Sequence, residues 1–206
     1  GTGKTLFACS HAIDKLKTGS IRKIIITRPI AHVDQEDIGF LPGTLAKKMD
    51  PWTRPVFDIF LEYFSKSELD NFLHNGVIEI SPLAFMRGRT FKDSIIIADE
   101  MQNSSPNQMK MLTTRIGSGS KLIITGDTKQ VDKKNVVNGL QHFIQLYHSF
   151  PFSKKSIQLI QFNSSDVERS EIVQTVLSMY EPFAPNLNTI LCSYLLHLLM
   201  LIILNL

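Results

Sequence analysis

The sequence predicts an α/β protein in which helices flank a mostly parallel β-sheet. Short apolar, β-branched runs alternate with amphipathic stretches over most of the chain, which is the pattern of strands buried on both faces and joined by crossover helices. Several of these runs end at polar or charged residues, and a glycine-rich segment at the start leads directly into an amphipathic stretch. The composition of the 206 residues, 43% hydrophobic and 20% charged, is that of a single folded domain.

The chain opens with Gly1-Thr2-Gly3-Lys4-Thr5, which matches the last positions of the phosphate-binding pattern G-x-x-x-x-G-K-[ST]. In that motif, backbone N–H groups hold phosphates, the lysine reaches the β- and γ-phosphates, and the hydroxyl binds Mg²⁺. We therefore expect all five residues to bind ATP, with Thr5 also at the metal. The motif requires a helix after Thr5, and residues 5–18 have helical spacing. A chance match at an ordinary helix start is the alternative.

The chain begins inside this motif, so the strand that normally runs into such a loop does not precede Gly1 in the sequence. We expect the sheet to lack this strand, which would leave ladder hydrogen bonds unmade and apolar surface exposed. We accordingly expect this polypeptide to bind ATP poorly and to aggregate, and the complete gene product to be competent.

The remaining elements follow in order along the chain. Strands are predicted at Lys23–Thr27, Val77–Ser81, Ser94–Ala98, Lys121–Thr125 and Ile157–Phe162. Further helices are predicted at 54–65, 67–74, 106–116, 136–148 and 166–181, with Ser67 as the cap of the second of these. Ligands of open parallel sheets lie beyond the carboxyl ends of the strands, so we expect the chemistry in the residues that follow each strand.

Two of these strand ends carry suitable side chains. Asp99 and Glu100 follow the apolar run Ile95-Ile96-Ile97-Ala98, and we assign Asp99 to Mg²⁺ and Glu100 to the activation of water. An acidic turn after a buried strand is the alternative. Gly126-Asp127-Thr128-Lys129-Gln130 follows the next strand, where Gln130 is placed to hydrogen-bond the γ-phosphate or the attacking water.

Arginines follow two other strands, Arg28 after the first and Arg87 and Arg89 after the second. The planar guanidinium binds phosphate bidentately, so either group can serve ATP or a nucleic-acid backbone. Solvated surface arginines are the alternative. The formal net charge of +3 is too small to argue nucleic-acid binding by itself.

Together these segments resemble the PhoH family of P-loop ATPases over residues 1 to about 181, and Val77–Asn103 is the most specific stretch. The resemblance implies a RecA-like core related to superfamily 1 helicase motors, ATP and Mg²⁺ as ligands, action on single-stranded RNA, and ring-shaped homo-oligomers. By position, Lys4 and Thr5 belong to motif I, Asp99 and Glu100 to motif II, and Gly126, Asp127 and Gln130 to motif III. Met101 departs from the family's usual alanine, which should alter packing rather than catalysis.

The resemblance also implies an arginine finger, a residue that reaches the γ-phosphate in a neighbouring subunit. Arg169 matches the family's arginine near the last helix, and Arg115 is the other candidate. We expect an ATPase that couples hydrolysis to RNA binding or remodelling. A nucleotide-dependent switch or binding module without helicase activity is the alternative.

Residues 182–206 form an uncharged, hydrophobic tail that departs from the family. Three interpretations stay open: a membrane-spanning helix over 187–206, a buried terminal helix, and an artefact of the gene model. The two cysteines, Cys9 and Cys192, form neither a metal cluster nor a disulfide framework and predict a reducing compartment. We expect a cytoplasmic protein, with anchoring through the tail as the alternative.

Overall fold

The structure of the protein is a computed structural model that describes residues 2–29, 45–128, 137–150, 156–162, 166, 168, 170–180 and 199–205. The helices and strands run in the order α1 (Lys4–Lys17), β1 (Lys23–Thr27), α2 (Leu45–Leu61), α3 (Lys66–His74), β2 (Ile78–Ile80), β3 (Ser94–Ala98), α4 (Pro106–Thr113), β4 (Lys121–Asp127), α5 (Gly139–Ser149), β5 (Ile157–Phe162), α6 (Glu171–Tyr180) and β6 (Leu199–Asn205). Short 3₁₀ turns lie at Leu83–Met86 and Met101–Asn103.

One six-stranded sheet, in the order β2-β1-β3-β4-β6-β5, forms the centre of the fold. The pairs β2–β1, β1–β3 and β3–β4 are parallel, so the predicted α/β class with a mostly parallel sheet is confirmed. Thr27 lies opposite Ala98, and Ala98 lies opposite Ile124. The carboxyl ends of β1, β3 and β4 therefore meet at one edge of the sheet, where ligands of such folds bind.

The strand β6 is the main departure from the predictions, because every interpretation that assigned structure to the tail made it a helix. It pairs antiparallel with the whole of β4 on one side and with β5 on the other. Residues 199–205 are therefore part of the sheet, and the rest of the tail lies outside the described residues. Within the described ranges, no helix has the length and apolar character needed to cross a membrane. We expected unmade ladder hydrogen bonds in the sheet as one cause of weak ATP binding. Because β4 is paired on both sides, that cause does not apply to this strand.

Alternating residues of the central strands supply two apolar layers, as successive side chains of a strand point to opposite faces. Ile24, Ile26, Ile95, Ile97 and Ile123 pack with buried side chains of α1, α2 and α3. Ile25, Ile96, Ala98, Leu122 and Ile124 pack on the other face with α4 and α5. The helix α1 thus lies firmly under the centre of the sheet, with its first residue at the edge where the strands end.

Several helix starts differ from the predictions: α5 and α6 begin at Gly139 and Glu171 rather than at residues 136 and 166, and the starts of α2 and α3 differ for local reasons. The helix α2 begins at Leu45 rather than at residue 54, and it continues through Pro51 and Pro55. The cap of α3 is Ser65, because its Oγ accepts a hydrogen bond from the Glu68 N–H at 3.3 Å. The Glu68 carboxylate in turn accepts from the Ser65 N–H at 2.8 Å, which completes a capping box. Ser67, the predicted cap, lies inside the helix.

Candidate functional site

The glycine-rich loop runs into the first turn of α1. Gly3 is the N-cap residue, with a φ of 68°, a left-handed conformation that glycine adopts without steric cost. Lys4 begins the helix, and the unpaired N–H groups of a helix start favour an anion such as phosphate. The side chain of Thr2 is buried, and its Oγ1 has no hydrogen-bond partner in the described structure. Gly1 lies outside the described residues.

The structure brings the predicted metal residues Thr5 and Asp99 into contact. The Thr5 hydroxyl donates a hydrogen bond to Asp99 Oδ1 at 3.1 Å, and the Thr125 hydroxyl donates to the same oxygen. Asp99 is 8% exposed, and its N–H donates to the Thr27 carbonyl oxygen at 3.0 Å. Asp99, at the end of β3, therefore joins the start of α1 and the end of β4 through its carboxylate and the end of β1 through its backbone.

Glu100, the predicted activator of water, follows directly at the end of β3. Its backbone is left-handed, with a φ of 54°, which is uncommon outside glycine and costs about 1–3 kcal/mol where surrounding contacts impose it. Its carboxylate accepts a hydrogen bond from Gln102 Nε2 at 2.5 Å. The left-handed backbone at Glu100 ends the extended course of β3. The hydrogen bond from Gln102 then holds the Glu100 side chain.

Gln102 is a site residue that the sequence predictions missed. Its side chain is 2% exposed, and its Oε1 accepts a hydrogen bond from the Asp127 N–H at 3.1 Å. A Cβ atom on Gly126 would stand 2.8 Å from that same oxygen and 2.6 Å from Leu140 Cδ2. The glycine of motif III therefore allows Gln102 to connect Glu100 with the end of β4. Gln130, the other predicted residue of this motif, lies outside the described residues.

A family model described as PhoH-like protein matches residues 1–181. The chain belongs to the PhoH-like family. Membership supports a nucleotide-binding protein of the P-loop ATPase type, and the contact between Thr5 and Asp99 agrees with that type of site.

Curated relatives share the same assignment. The chain is 42% identical over 182 residues to a PhoH-like protein of Bacillus subtilis (strain 168), covering 88% of this chain and 56% of the relative. It is 39% identical over 181 residues to one of Mycobacterium tuberculosis (strain ATCC 25618 / H37Rv), covering 87% and 50%. It is 36% identical over 189 residues to Protein PhoH of Escherichia coli (strain K12), covering 87% and 50%. The chain therefore spans about half the length of these relatives.

A small recess of the PhoH-like domain opens beside Asp99. It lies between the ends of β1 and β2 and the helix α2, and Thr27, Arg28, Thr53 and Asp99 supply its polar lining. Its cavity volume of about 10 Å³ is close to the minimum for one water molecule. The Thr27 hydroxyl is 1% exposed and without a described hydrogen-bond partner. Arg28 and the predicted metal residue Asp99 thus line the same recess.

Two of the other arginines that we considered as phosphate ligands, Arg89 and Arg115, are held by protein groups. Arg89 donates to both oxygens of Glu79, at 2.5 and 3.0 Å, and lies 4.6 Å from the centre of the Phe91 ring. Arg115 donates to the carbonyl oxygens of Met111 and Arg89 at 3.2 and 3.3 Å. Arg87 is exposed. Arg169, the other candidate finger, lies outside the described residues.

Among the described residues, the pKa values of the Glu79 carboxyl and the Cys9 thiol are strongly shifted. Hydrogen bonds from Arg89, together with Lys23 at 2.6 Å, lower the pKa of Glu79 to about 2. Burial, with a contribution from Asp99, raises the pKa of the Cys9 thiol to about 12. A thiol with so high a pKa is a poor nucleophile. Met101, which we expected to affect packing, is fully buried in the core.

Proposed function

We propose that the protein binds ATP together with Mg²⁺ at the loop Gly1–Thr5 and hydrolyses the γ-phosphate. The observation that supports this most is the hydrogen bond between Thr5 and Asp99, whose positions are 94 residues apart in sequence. Two separate motifs that predict the same metal meet in space at this bond. In this proposal, Lys4 binds the phosphates and Glu100 orients the attacking water.

The groups present suit Mg²⁺. This ion prefers oxygen ligands and binds through one or two protein groups together with substrate phosphates and water. The hydroxyl of Thr5 and the carboxylate of Asp99 would hold it, since they already lie 3.1 Å apart. When bound, the ion neutralises charge on the phosphates. Gln130 contacts the γ-phosphate in this proposal, and Arg169 of one subunit acts as the finger for its neighbour.

The test of ATP binding and hydrolysis compares matched lysine variants. We expect Lys4→Ala to weaken binding of a fluorescent ATP analogue and to lower phosphate release by 10²-fold or more, because a charge-assisted phosphate contact is lost. Lys110→Ala is the control, since Lys110 is an exposed lysine on α4. Equal turnover in the wild type and in Lys4→Ala would refute the assignment of the loop.

A second variant separates binding from hydrolysis. Glu100→Gln preserves the side-chain volume and removes the carboxylate, so we expect nucleotide affinity close to that of the wild type and turnover reduced by 10²-fold or more. Unchanged turnover would remove Glu100 from the mechanism. The fully buried partner of Glu100, Gln102, makes this comparison informative, since an amide at position 100 still finds a hydrogen-bonding neighbour.

We further propose that hydrolysis is coupled to single-stranded RNA in a homo-oligomeric ring, in the cytoplasm. The test measures turnover with and without a single-stranded homopolymer, together with the mass of the particle by light scattering. Stimulation by RNA supports a helicase-like activity.

The rival function is a nucleotide-dependent switch, which is favoured by the Gln102 link between Glu100 and the backbone of Asp127. RNA affinity that depends on ATP, with no stimulation of turnover, would support the switch.

A further inference from the structure

An exposed phenylalanine ring stands beside the phosphate loop and is stacked on a second, partly buried one. Phe7, on the first turn of α1, is 56% exposed, although its neighbours Ala8 and Cys9 are buried. Its ring is parallel to that of Phe162 at the end of β5, with an angle of 6° between the planes and 6.4 Å between the centroids. We call Phe7 and Phe162 the aromatic pair.

The aromatic pair adjoins the loop directly. The Phe7 N–H donates to the Gly3 carbonyl oxygen at 2.9 Å, and Phe7 Cε2 lies 3.4 Å from the position that a Cβ on Gly3 would occupy. Phe7 follows Lys4 by three residues, which is about 4.5 Å along a helix axis. A base attached through a ribose to phosphates in the loop is therefore within reach of these rings.

The exposed side chain of Phe7 is available to a ligand in the loop. A large aromatic side chain that stays mostly in water gains little from the hydrophobic effect, and α1 is already fixed under the sheet by buried residues such as Ala12 and Ile13. Aromatic faces stack readily on nucleobases, because every base has a π-face. Stacking responds to ring area, so it favours purines over pyrimidines.

We propose that the aromatic pair binds the purine base of the nucleoside triphosphate whose phosphates lie in the loop. This inference rests on the proposed function, since it takes the phosphate site at Gly1–Thr5 as given. It adds a second contact region, in which Phe7 supplies the stacking surface and Phe162 holds the Phe7 ring in its orientation.

The test compares ligands that share phosphates and differ in the base. Affinities for ATP, CTP and inorganic tripolyphosphate, each with Mg²⁺, are measured on the full chain by isothermal titration calorimetry. We expect the wild type to bind ATP about tenfold more tightly than tripolyphosphate, with CTP between them. Phe7→Ala should remove most of this preference while leaving the affinity for tripolyphosphate unchanged, and Phe7→Tyr should retain it.

The ratio of the two affinities protects the result against folding defects, because a misfolded fraction lowers binding of both ligands alike. Phe85→Ala is the control, since Phe85 is 60% exposed on the Leu83–Met86 turn, and we expect it to leave the ratio unchanged. Equal affinity of the wild type for ATP and tripolyphosphate, or a preference that survives in Phe7→Ala, overturns the inference while the phosphate site stands. If neither ligand binds the wild type, the proposed function itself fails.

Discussion

Asp99, Glu100 and Gln102 are close in sequence, and their side chains form hydrogen bonds with different parts of the site. Asp99 accepts hydrogen bonds from hydroxyls on α1 and β4, whereas Glu100 turns aside with a left-handed backbone and meets Gln102. Gln102 in turn reaches the backbone of Asp127. A short segment thereby joins the proposed metal ligand, the proposed activator of water, and the third motif.

Replacement of Gln102 tests this link. Gln102→Leu leaves the buried Asp127 N–H without this acceptor, so we expect a loss of about 1–3 kcal/mol in the free energy of unfolding. Phosphate release should fall as well, because Glu100 loses its donor. Urea denaturation measures the free energy of unfolding, and a phosphate assay measures the rate of release. Gln145→Leu on the exposed face of α5 is the control and should change stability by less than about 0.5 kcal/mol. Wild-type stability in Gln102→Leu would show that the link is not needed.

Cys9 offers a test of the burial behind the loop. In a Cys192→Ser background, we expect its reaction with a thiol reagent at pH 8 to be slower than that of a free thiol by about a thousandfold or more, because its pKa rises from 9.0 to about 12. The same protein in concentrated guanidinium chloride should react quickly and serves as the control. Rapid labelling under native conditions would mean that α1 does not cover the sheet as described.

Sequence patterns assigned both Thr5 and Asp99 to one metal because each belongs to a motif with a defined chemical role, and in the structure the two side chains are in contact. They did not predict Gln102, whose partners depend on how closely two strand ends approach. That approach needs Gly126, since a Cβ there would meet Gln102 Oε1 at 2.8 Å. Arg89 shows the opposite case: its residue type suggested phosphate, but the register of β2 places Glu79 beside it.

At the scale of elements, the buried strands were the most predictable parts. The bounds of β1 and β3 agree with the predicted runs, since two-sided burial demands continuous apolar sequence. The bounds of β5 agree as well, although this edge strand has exposed residues along its length. Helix starts were less predictable, because the cap depends on which of two nearby serines meets Glu68. The strand β6 escaped prediction because a short, uniformly apolar run fits a buried helix as well as a buried strand.

A proline substitution in β6 tests whether this strand pairs with both β4 and β5. Ile203 lies opposite Ile123 on β4 and Gln158 on β5. Ile203→Pro removes one ladder donor, so we expect unfolding to become easier by about 1–3 kcal/mol. Hydrogen exchange should accelerate in β4 and β5 and stay slow in β1. Ile203→Val, which keeps strand propensity, should cost only about 0.5–1.5 kcal/mol. Unaltered exchange in β5 after the proline substitution would contradict this pairing.

At the scale of the whole molecule, the ion cluster around Glu79 makes stability depend on pH. It links the edge strand β2 to Lys23 of β1 and to Arg89 in the segment before β3. The pKa of Glu79 is about 2 in the folded protein and 4.5 ordinarily. A lowered pKa stabilises the fold fully above the ordinary value, and this contribution is lost as the pH falls from about 4.5 towards 2.

Glu79→Gln should therefore reduce the free energy of unfolding at pH 7 by about 1 kcal/mol, since solvent screens this partly exposed cluster, and the difference from the wild type should shrink as the pH falls to 3. Guanidinium chloride denaturation at a series of pH values measures both curves. Glu62→Gln, at an exposed position, is the control. Its free energy of unfolding should change with pH in the same way as that of the wild type. A difference that is constant across this range would assign the effect to packing rather than to charge.

The pairing of β6 also imposes an order on synthesis. Residues 121–127 and 157–162 leave the ribosome well before residues 199–205, and in the described structure β5 joins the sheet through β6. Among the described strands, β6 is the partner of β4 on one side and the neighbour of β5, so these two edges stay open until it arrives. Such edges recruit other chains, and contacts between distant segments form slowly. We therefore expect nascent chains that stop before residue 199 to need chaperones most.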